Sequence, residues 1–228
     1  MRKDPKHERG DELLFFILNE KDEDGEATYN LLAEFFRGYP LSKLKLLLQS
    51  NNNDSVAAGV WIASELASAA KPLLCEITPL INHPSSRVRF WTFDCLLMCA
   101  GPDDAEAISN ALGLLEDTHP GVRQQAMRFL TLVPETMLEA VLCRAKKSGT
   151  EHPLSISHIK GVEMILRALN SSETSLIERE ALKGSDVLLR KYATATAVRL
   201  AQQNPTLLQL VMDSEDEEVR KFARLTPT

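Results

Sequence analysis

Histidine followed by proline occurs three times in the middle of the sequence, at His83, His119 and His152. Imidazole is the commonest metal ligand in proteins, so a zinc site is the first chemistry to consider. If the three pairs occupy equivalent turns of a repeated helical unit, neighbouring histidines lie about 8–10 Å apart, the spacing of packed helices. Zinc holds its nitrogen ligands at about 2.0–2.1 Å, so one ion cannot join them. We therefore interpret the His-Pro pairs as turn residues that mark repeats.

The spacing of the other reactive residues gives little support to catalysis or metal binding. The cysteines show no C-x-x-C spacing; they are Cys75, Cys95, Cys99 and Cys143. Cys95 and Cys99 lie one helical turn apart, where a weak metal or redox site is conceivable, but buried free thiols are the favoured interpretation. The sequence contains no G-x-S-x-G, P-loop, G-x-G-x-x-G or H-E-x-x-H motif. We predict no catalytic residue, no metal and no cofactor.

An aromatic stretch, "RFWTFD" at residues 89–94, is the strongest candidate for a binding surface. A helix here has one apolar stripe through Val88 and Trp91 and a second through Phe90 and Phe93, so it is apolar nearly all round. Such a helix is either buried between neighbours or exposes an apolar patch. Both interpretations stay open. The candidate partner-binding residues are Trp61, Phe90, Trp91, Phe93 and Asp94.

The elements that position these residues follow from an internal repeat. Six apolar or small residues occupy equivalent slots at separations of 30, 34, 34, 33 and 30 residues; they are Ala58, Val88, Val122, Ile156, Leu189 and Val219. Each unit contains two segments with apolar residues at helical spacing. A helix pair of this kind has apolar surface that it cannot bury alone, so neighbouring pairs must stack. The period therefore predicts an α-solenoid.

An arginine follows four of these six slots, and the resulting Val-Arg or Leu-Arg pairs resemble those of HEAT and HEAT-like repeats over residues 40–225. The resemblance implies a ladder in which a turn aspartate pairs with the helix arginine, best matched by Asp117 with Arg123. Other turns carry His83, Gly184 or Ser214 at that position, so the ladder is partial. Phosphate binding is the alternative for these arginines, but a structural role is favoured. The ladder candidates are Arg89, Asp117, Arg123, Arg190 and Arg220.

We predict an all-α fold, a right-handed α-solenoid of about six HEAT-like helix pairs with an N-terminal capping helix pair. Residues 1–10 are predicted to be flexible, and residues 11–228 to form one domain. The cap is expected at 11–38 and the repeats at 40–70, 72–101, 102–133, 134–170, 172–204 and 205–225.

The formal net charge of −6 argues against a protein that neutralises nucleic-acid phosphates and favours a basic protein partner. The acidity is concentrated at residues 20–26 and 213–218, where solvated helix ends are the favoured interpretation. No apolar run approaches the roughly 18 residues of a transmembrane helix, and no signal peptide is apparent. A cytoplasmic location, no membrane association and a monomer are expected.

These observations favour a non-enzymatic protein-binding solenoid that uses its concave face and acidic ends. An immunity or antitoxin-type inhibitor of a basic toxin is one form of this hypothesis, since charge complementarity speeds capture. An adaptor in a larger assembly is another. The alternative is an enzyme similar to the HEAT-like alkylpurine DNA glycosylases, with Trp61, Trp91 and Asp94 in the cleft, or another HEAT-like-repeat enzyme. No motif of the glycosylase family matches residue by residue.

Overall fold

The computed structural model describes residues 7–20, 22–148, 153–171 and 174–225 of the chain. Throughout these ranges the regular structure is helical, with fourteen α-helices and no β-strand. The chain divides into two compact units, an N-terminal unit of Met1–Ala100 and a C-terminal unit of Gly101–Thr228. In the parts that the structure describes, no helix is long and apolar enough to span a membrane.

The N-terminal unit contains the capping pair and the first two repeats. Its α-helices are α1 (Glu8–Asn19), α2 (Glu26–Phe36), α3 (Lys45–Leu48), α4 (Asn53–Glu65), α5 (Leu74–Ile77) and α6 (Ser86–Cys99). Three 3₁₀ segments, Leu41–Leu44, Ala67–Leu73 and Thr78–Asn82, extend the short helices α3 and α5. Pro72 and Pro79 lie in the last two segments. Because proline has no backbone N–H, it interrupts the α-helical hydrogen bonds and leaves α5 short.

Small residues allow α4 to lie close to its neighbours at the centre of this unit. A Cβ atom on Gly59 would lie 2.7 Å from Cβ of Leu47, so only glycine permits this approach of α3 to α4. The buried Ser55 hydroxyl donates a hydrogen bond of 2.8 Å to the carbonyl of Ile17, which ties α4 to α1. These contacts fix the capping pair against the first repeat.

The C-terminal unit contains the other four predicted helix pairs. Its α-helices are α7 (Ala105–Gly113), α8 (Pro120–Leu132), α9 (Glu135–Ser148), α10 (Ile156–Ser171), α11 (Ser175–Lys183), α12 (Val187–Arg199), α13 (Pro205–Met212) and α14 (Glu217–Leu225). The predicted helix pairs, and with them the all-α solenoid class, are confirmed. The handedness of the solenoid and its description as a single domain stay predictions.

One helix of the C-terminal unit departs from a stack in which each pair contacts only its neighbours. Helix α12 packs against α10 and α11, and it also packs directly against α8, across the intervening repeat. It is therefore buried on nearly all sides, polar side chains included: Lys191, Thr194 and Thr196 are buried. The hydroxyls of Thr194 and Thr196 donate to backbone carbonyls four residues earlier, which satisfies them inside the core.

Four of the six predicted repeat slots hold a buried side chain, as expected for the core of stacked helix pairs. Ala58, Val88, Val122 and Val219 are buried, whereas Leu189 is half-buried. The prediction for Ile156 was wrong: its side chain is 68% exposed. This residue begins α10, and the buried face of that helix includes His158 and Gly161 further along.

The capping pair also differs from its prediction. Helix α1 begins at Glu8, three residues before the expected boundary, and Gly10 is buried against the ring of Tyr39. The rest of the segment predicted to be flexible, residues 1–6, lies outside the described residues. The pair is predicted to close the stack, yet it exposes aromatic side chains; they are Phe15, Phe16, Tyr29 and Phe36.

Candidate functional site

A cavity of about 620 Å³ in the N-terminal unit joins two features that are far apart in the sequence. The turn between α1 and α2 forms one wall, and α4 and α6 form the other. Both tryptophans of the chain, Trp61 and Trp91, line it. So do six acidic residues, which are Glu20, Asp22, Glu23, Asp24, Glu26 and Asp54. We call this site the acidic–aromatic cavity.

The acidic wall is held in place by its own carboxylates. Asp22 accepts hydrogen bonds from the backbone N–H groups of Ala27 (3.2 Å) and Thr28 (2.8 Å), and another from the Thr28 hydroxyl (2.5 Å). Asp24 accepts from the N–H of Glu26 at 3.0 Å. Gly25 has a φ of 75°, a left-handed conformation that favours glycine. The turn therefore has a defined backbone, with Asp22 and Asp24 used to cap the start of α2.

Two helix N-termini meet the cavity and explain why it tolerates so many acids. Glu26 lies in the first turn of α2, and Asp54 lies in the first turn of α4, where the Asn52 side chain caps the helix. Unpaired N–H groups give a helix N-terminus partial positive charge, which stabilises nearby carboxylates. The acidic residues are thus compatible with folding while they keep the cavity negative.

The aromatic wall comes from equivalent positions of two successive repeats. Trp61 on α4 and Trp91 on α6 are both half-buried, and both pack against the core of the unit. The ring of Phe90 meets that of Trp91 edge to face, with centroids 5.2 Å apart. Helices α4 and α6 pack against each other along their length, which places the two indoles in one cavity.

The lining defines the class of ligand that this cavity suits. Among the described residues that line it, six carry a carboxylate and one, Arg87, carries a positive charge. Indole rings attract cations through their π-systems, so both walls favour positive charge. Over the described residues, no three His, Cys, Asp or Glu side chains converge as metal ligands would. The volume lies within the roughly 300–1,000 Å³ of ligand pockets. The cavity therefore suits an organic cation.

The structure separates the five residues that the sequence proposed for partner binding. Trp61 and Trp91 line the cavity, and Phe90 supports Trp91 while staying half-buried. The proposal for Phe93 was wrong: its side chain is 1% exposed and belongs to the core. Asp94 is half-buried and is not among the residues that line the cavity. Helix α6 therefore combines the two interpretations of its pattern: one side, with Phe93, is buried in the core, and another side, with Trp91, lines the cavity.

The repeat arginines share one contact, with the backbone of the turn before their helix. In each case Nη1 donates to the backbone carbonyl six residues earlier; the pairs are Arg89 with His83 (2.7 Å), Arg123 with Asp117 (2.9 Å), Arg190 with Gly184 (2.5 Å) and Arg220 with Ser214 (2.6 Å). A backbone carbonyl is available from any residue type, so the turn does not need aspartate. The arginines satisfy the ends of the preceding helices. Two of them also pair with a carboxylate of another repeat, Arg190 with Asp216 (3.3 Å) and Arg123 with Glu218 (2.6 Å), so the ladder of side-chain pairs stays a prediction.

The two described His-Pro histidines also share a structural role. Nδ1 of His83 accepts a hydrogen bond from the N–H of Ser85 at 3.1 Å, and Nδ1 of His119 accepts from the N–H of Gly121 at 3.2 Å. Both imidazoles thus bond to the backbone at the start of the second helix of a repeat. Their interpretation as turn residues is confirmed; His152 lies outside the described residues.

Sequence reasoning missed a polar chain in the C-terminal unit that is buried at Tyr192 and His158 and reaches the surface at Glu116. The Tyr192 hydroxyl lies 3.0 Å from Nδ1 of His158, and Nε2 of His158 lies 3.2 Å from the Glu116 carboxylate. Burial lowers the pKa of His158, while Glu116 opposes this shift. Tyr192 is 0% exposed and burial raises its pKa, so no substrate reaches its hydroxyl. The three groups connect helices and form no open site.

The fold and the cavity together define a helical-repeat protein with an acidic–aromatic cavity in its N-terminal unit. No protein-family model and no curated protein matches the sequence. The solved structures similar to it include an engineered protein (16% identity, TM-score 0.42, covering 81% of this chain and 93% of that one). They also include a designed armadillo repeat protein (14% identity, TM-score 0.48, covering 93% and 96%). Both TM-scores lie below 0.5, so the helix packing described above, and not these likenesses, defines the fold.

Proposed function

We propose that this protein is a non-enzymatic binding module that takes a basic segment of a partner protein into the acidic–aromatic cavity. The observation that carries the proposal is the meeting of six acidic residues with both tryptophans of the chain around one cavity. Arginine and lysine side chains match this lining, because they combine a positive head with an apolar stem. Each cation placed over an indole contributes about 0.5–2 kcal/mol.

The charge of the cavity supports a protein partner over a nucleic acid. DNA-binding surfaces gain most of their affinity by neutralising phosphates with lysine and arginine. Among the described residues of the lining, six carboxylates against one guanidinium would repel a phosphate backbone. The glycosylase alternative also requires Asp94 beside the tryptophans, and Asp94 is not among the residues that line the cavity. An immunity-type inhibitor of a basic toxin and an adaptor are both forms of this proposal. We also propose that the chain belongs to the HEAT-like repeats, is cytoplasmic and is a monomer.

The test measures binding of a defined basic probe to the full-length protein. A fluorescently labelled peptide of arginine, lysine and glycine is titrated with protein, and its dissociation constant is followed by anisotropy over a series of salt concentrations. A peptide with citrulline and norleucine in place of the basic residues is the neutral control. We expect the basic peptide alone to bind, and its affinity to fall with salt because exposed charges are screened.

A matched pair of variants assigns the binding to the cavity. Glu20→Gln with Asp54→Asn removes two cavity charges and leaves the capping residues Asp22 and Asp24 in place. Glu12→Gln with Glu65→Gln removes two exposed charges of the same unit that do not line the cavity. The cavity variant is expected to bind roughly tenfold more weakly than the control variant, as the loss of two charge contacts implies. Equal affinity of the two variants would remove the cavity from the proposal.

A further inference from the structure

An exposed apolar stripe runs along α2 and begins at the acidic–aromatic cavity. Tyr29 is 67% exposed and lines the cavity, and Phe36 is 68% exposed and lies outside its lining. Ala33 is half-buried between them in the sequence. The spacing i, i+4, i+7 puts the three residues on one side of the helix, over about 10 Å. We call Tyr29, Ala33 and Phe36 the α2 stripe.

The α2 stripe is not what the end of a helical-repeat stack requires. A capping pair closes a stack with a polar outer surface. Two large aromatic side chains exposed on the same side of one helix, next to a charged cavity, are instead typical of an interaction surface. The opposite side of α2 is already used for folding, since Leu31 and Phe35 are buried.

The described ranges offer no sheet edge to a partner segment, and the spacing of the stripe favours a helical one. An extended peptide gains affinity by adding to the edge of a β-sheet, and the described ranges contain no strand. A helix laid along another helix uses apolar side chains at i, i+3, i+4 and i+7, and the stripe presents three of these positions, i, i+4 and i+7. Charge complementarity then orients that helix, because its basic end belongs at the acidic cavity.

We propose that the partner segment is an amphipathic helix that lies along α2, with its apolar side on Tyr29 and Phe36 and its basic end in the acidic–aromatic cavity. This inference rests on the proposed function and adds the conformation and the apolar side of the ligand. It assigns Phe36, which the cavity does not need, to the interface.

The first arm of the test compares three labelled peptides with the full-length protein. One carries leucines at helical spacing and arginines at one end, the second differs from it only by a proline in place of one central uncharged polar residue, and the third is the unpatterned basic peptide of the preceding section. We expect the amphipathic peptide to bind at least tenfold more tightly than the other two. The proline-containing peptide keeps the charge and the leucines but cannot form a continuous helix.

The second arm compares two single variants of equal exposure. Phe36→Ser changes the α2 stripe, while Phe15→Ser changes a residue of α1 that is 67% exposed and does not line the cavity. We expect Phe36→Ser to reduce the affinity for the amphipathic peptide roughly tenfold and to leave that for the unpatterned peptide unchanged. Phe15→Ser leaves both affinities unchanged. Circular dichroism and thermal unfolding confirm that both variants fold.

The outcomes separate this inference from the proposed function. If the proline-containing and amphipathic peptides bind equally, or if Phe36→Ser has no effect, the helical ligand is wrong while a basic segment in the cavity stands. If the unpatterned basic peptide fails to bind in the salt series, the proposed function is wrong and the inference falls with it.

Discussion

Trp61 and Trp91 lie 30 residues apart in the sequence and line the same cavity, one from α4 and the other from α6. The distance between them in sequence is one repeat, so the stacking of two helix pairs brings them to one wall. The turn between α1 and α2 supplies the facing wall of acids. The repeat thus places the two indoles in one wall, and the capping pair supplies the acidic wall that completes the cavity.

The indoles are expected to contribute more to ligand binding than to folding. Trp91→Leu keeps apolar volume against the core but removes the π-surface, so affinity for the basic peptide should fall roughly fivefold to thirtyfold, corresponding to about 1–2 kcal/mol. Stability should fall by less than the roughly 3–5 kcal/mol of truncating a buried indole to alanine, because Trp91 is half-buried and leucine fills part of its space. Anisotropy titrations and urea unfolding measure the two quantities. A large loss of stability with unchanged affinity would make Trp91 a core residue only.

A glycine pair tests the close packing of α10 on α12. A Cβ atom on Gly161 would lie 2.4 Å from the ring of Tyr192, whereas one on Gly113 in α7 meets no atom within 4 Å. Gly161→Ala should therefore lower the free energy of unfolding by about 1–3 kcal/mol through overpacking. Gly113→Ala should raise it by about 0.5–1 kcal/mol, because alanine favours the helix. Urea denaturation of both variants decides this, and equal effects would contradict the packing described.

The repeat arginines should stabilise the fold through backbone carbonyls. Arg123 donates to the carbonyl of Asp117 at 2.9 Å and to the carboxylate of Glu218 at 2.6 Å. Arg123→Met should cost about 1–3 kcal/mol, the usual range for losing hydrogen bonds of a charged group. Lys221→Met, at an exposed position of α14, is the control and should be nearly neutral. Asp117→Asn should preserve most of the Arg123 contribution, because the acceptor is the backbone; a loss equal to that of Arg123→Met would favour the side-chain ladder.

Acidification should destabilise the C-terminal unit through His158. Burial lowers the pKa of His158 below its ordinary value of 6.5, although Glu116 and Asp186 act in the opposite direction. The unfolded chain then binds the proton more tightly than the folded chain, so the free energy of unfolding falls as the pH drops below about 6.5, by at most about 1.4 kcal/mol per pH unit.

The variant His158→Asn isolates this contribution. Burial also lowers the pKa of His83, so both wild type and the variant keep a second histidine that destabilises the fold on acidification. Urea unfolding at several pH values between 5 and 8 is therefore compared between wild type and the variant. A shallower pH dependence in His158→Asn is the expected result, and identical slopes would show that the buried imidazole does not drive it.

The repeat and the helix pairs were predictable because they depend on local pattern. Val88, Val122 and Val219 follow from spacing alone, and all three are buried. Ile156 failed because it is the first residue of α10 and lies off the buried face of that helix, which begins at His158. The arginine contacts were half predictable: the arginines recur, but their backbone acceptors leave no mark on the sequence of the turn.

The site was predictable only in part, for a similar reason. The aromatic stretch at 89–94 marks Trp91, and the period relates it to Trp61. The pattern could not decide that Phe93 points into the core, because two apolar stripes on one helix are equivalent until its neighbours are placed. The pattern of residues 20–26 predicts only a solvated acidic turn. Its position across the cavity from the tryptophans depends on how the capping pair packs on α4, which the sequence does not show.

The most direct test of the account is an NMR titration of the two indole N–H signals in the ¹⁵N-labelled full-length protein. Trp61 and Trp91 are the only tryptophans in the chain, so these signals report on the acidic–aromatic cavity without further assignment beyond one substitution. Adding the arginine–lysine peptide should shift both signals saturably, with the same dissociation constant as the anisotropy measurement, and high salt should reverse the shift. Saturable binding of the peptide with both indole signals unmoved would contradict the account.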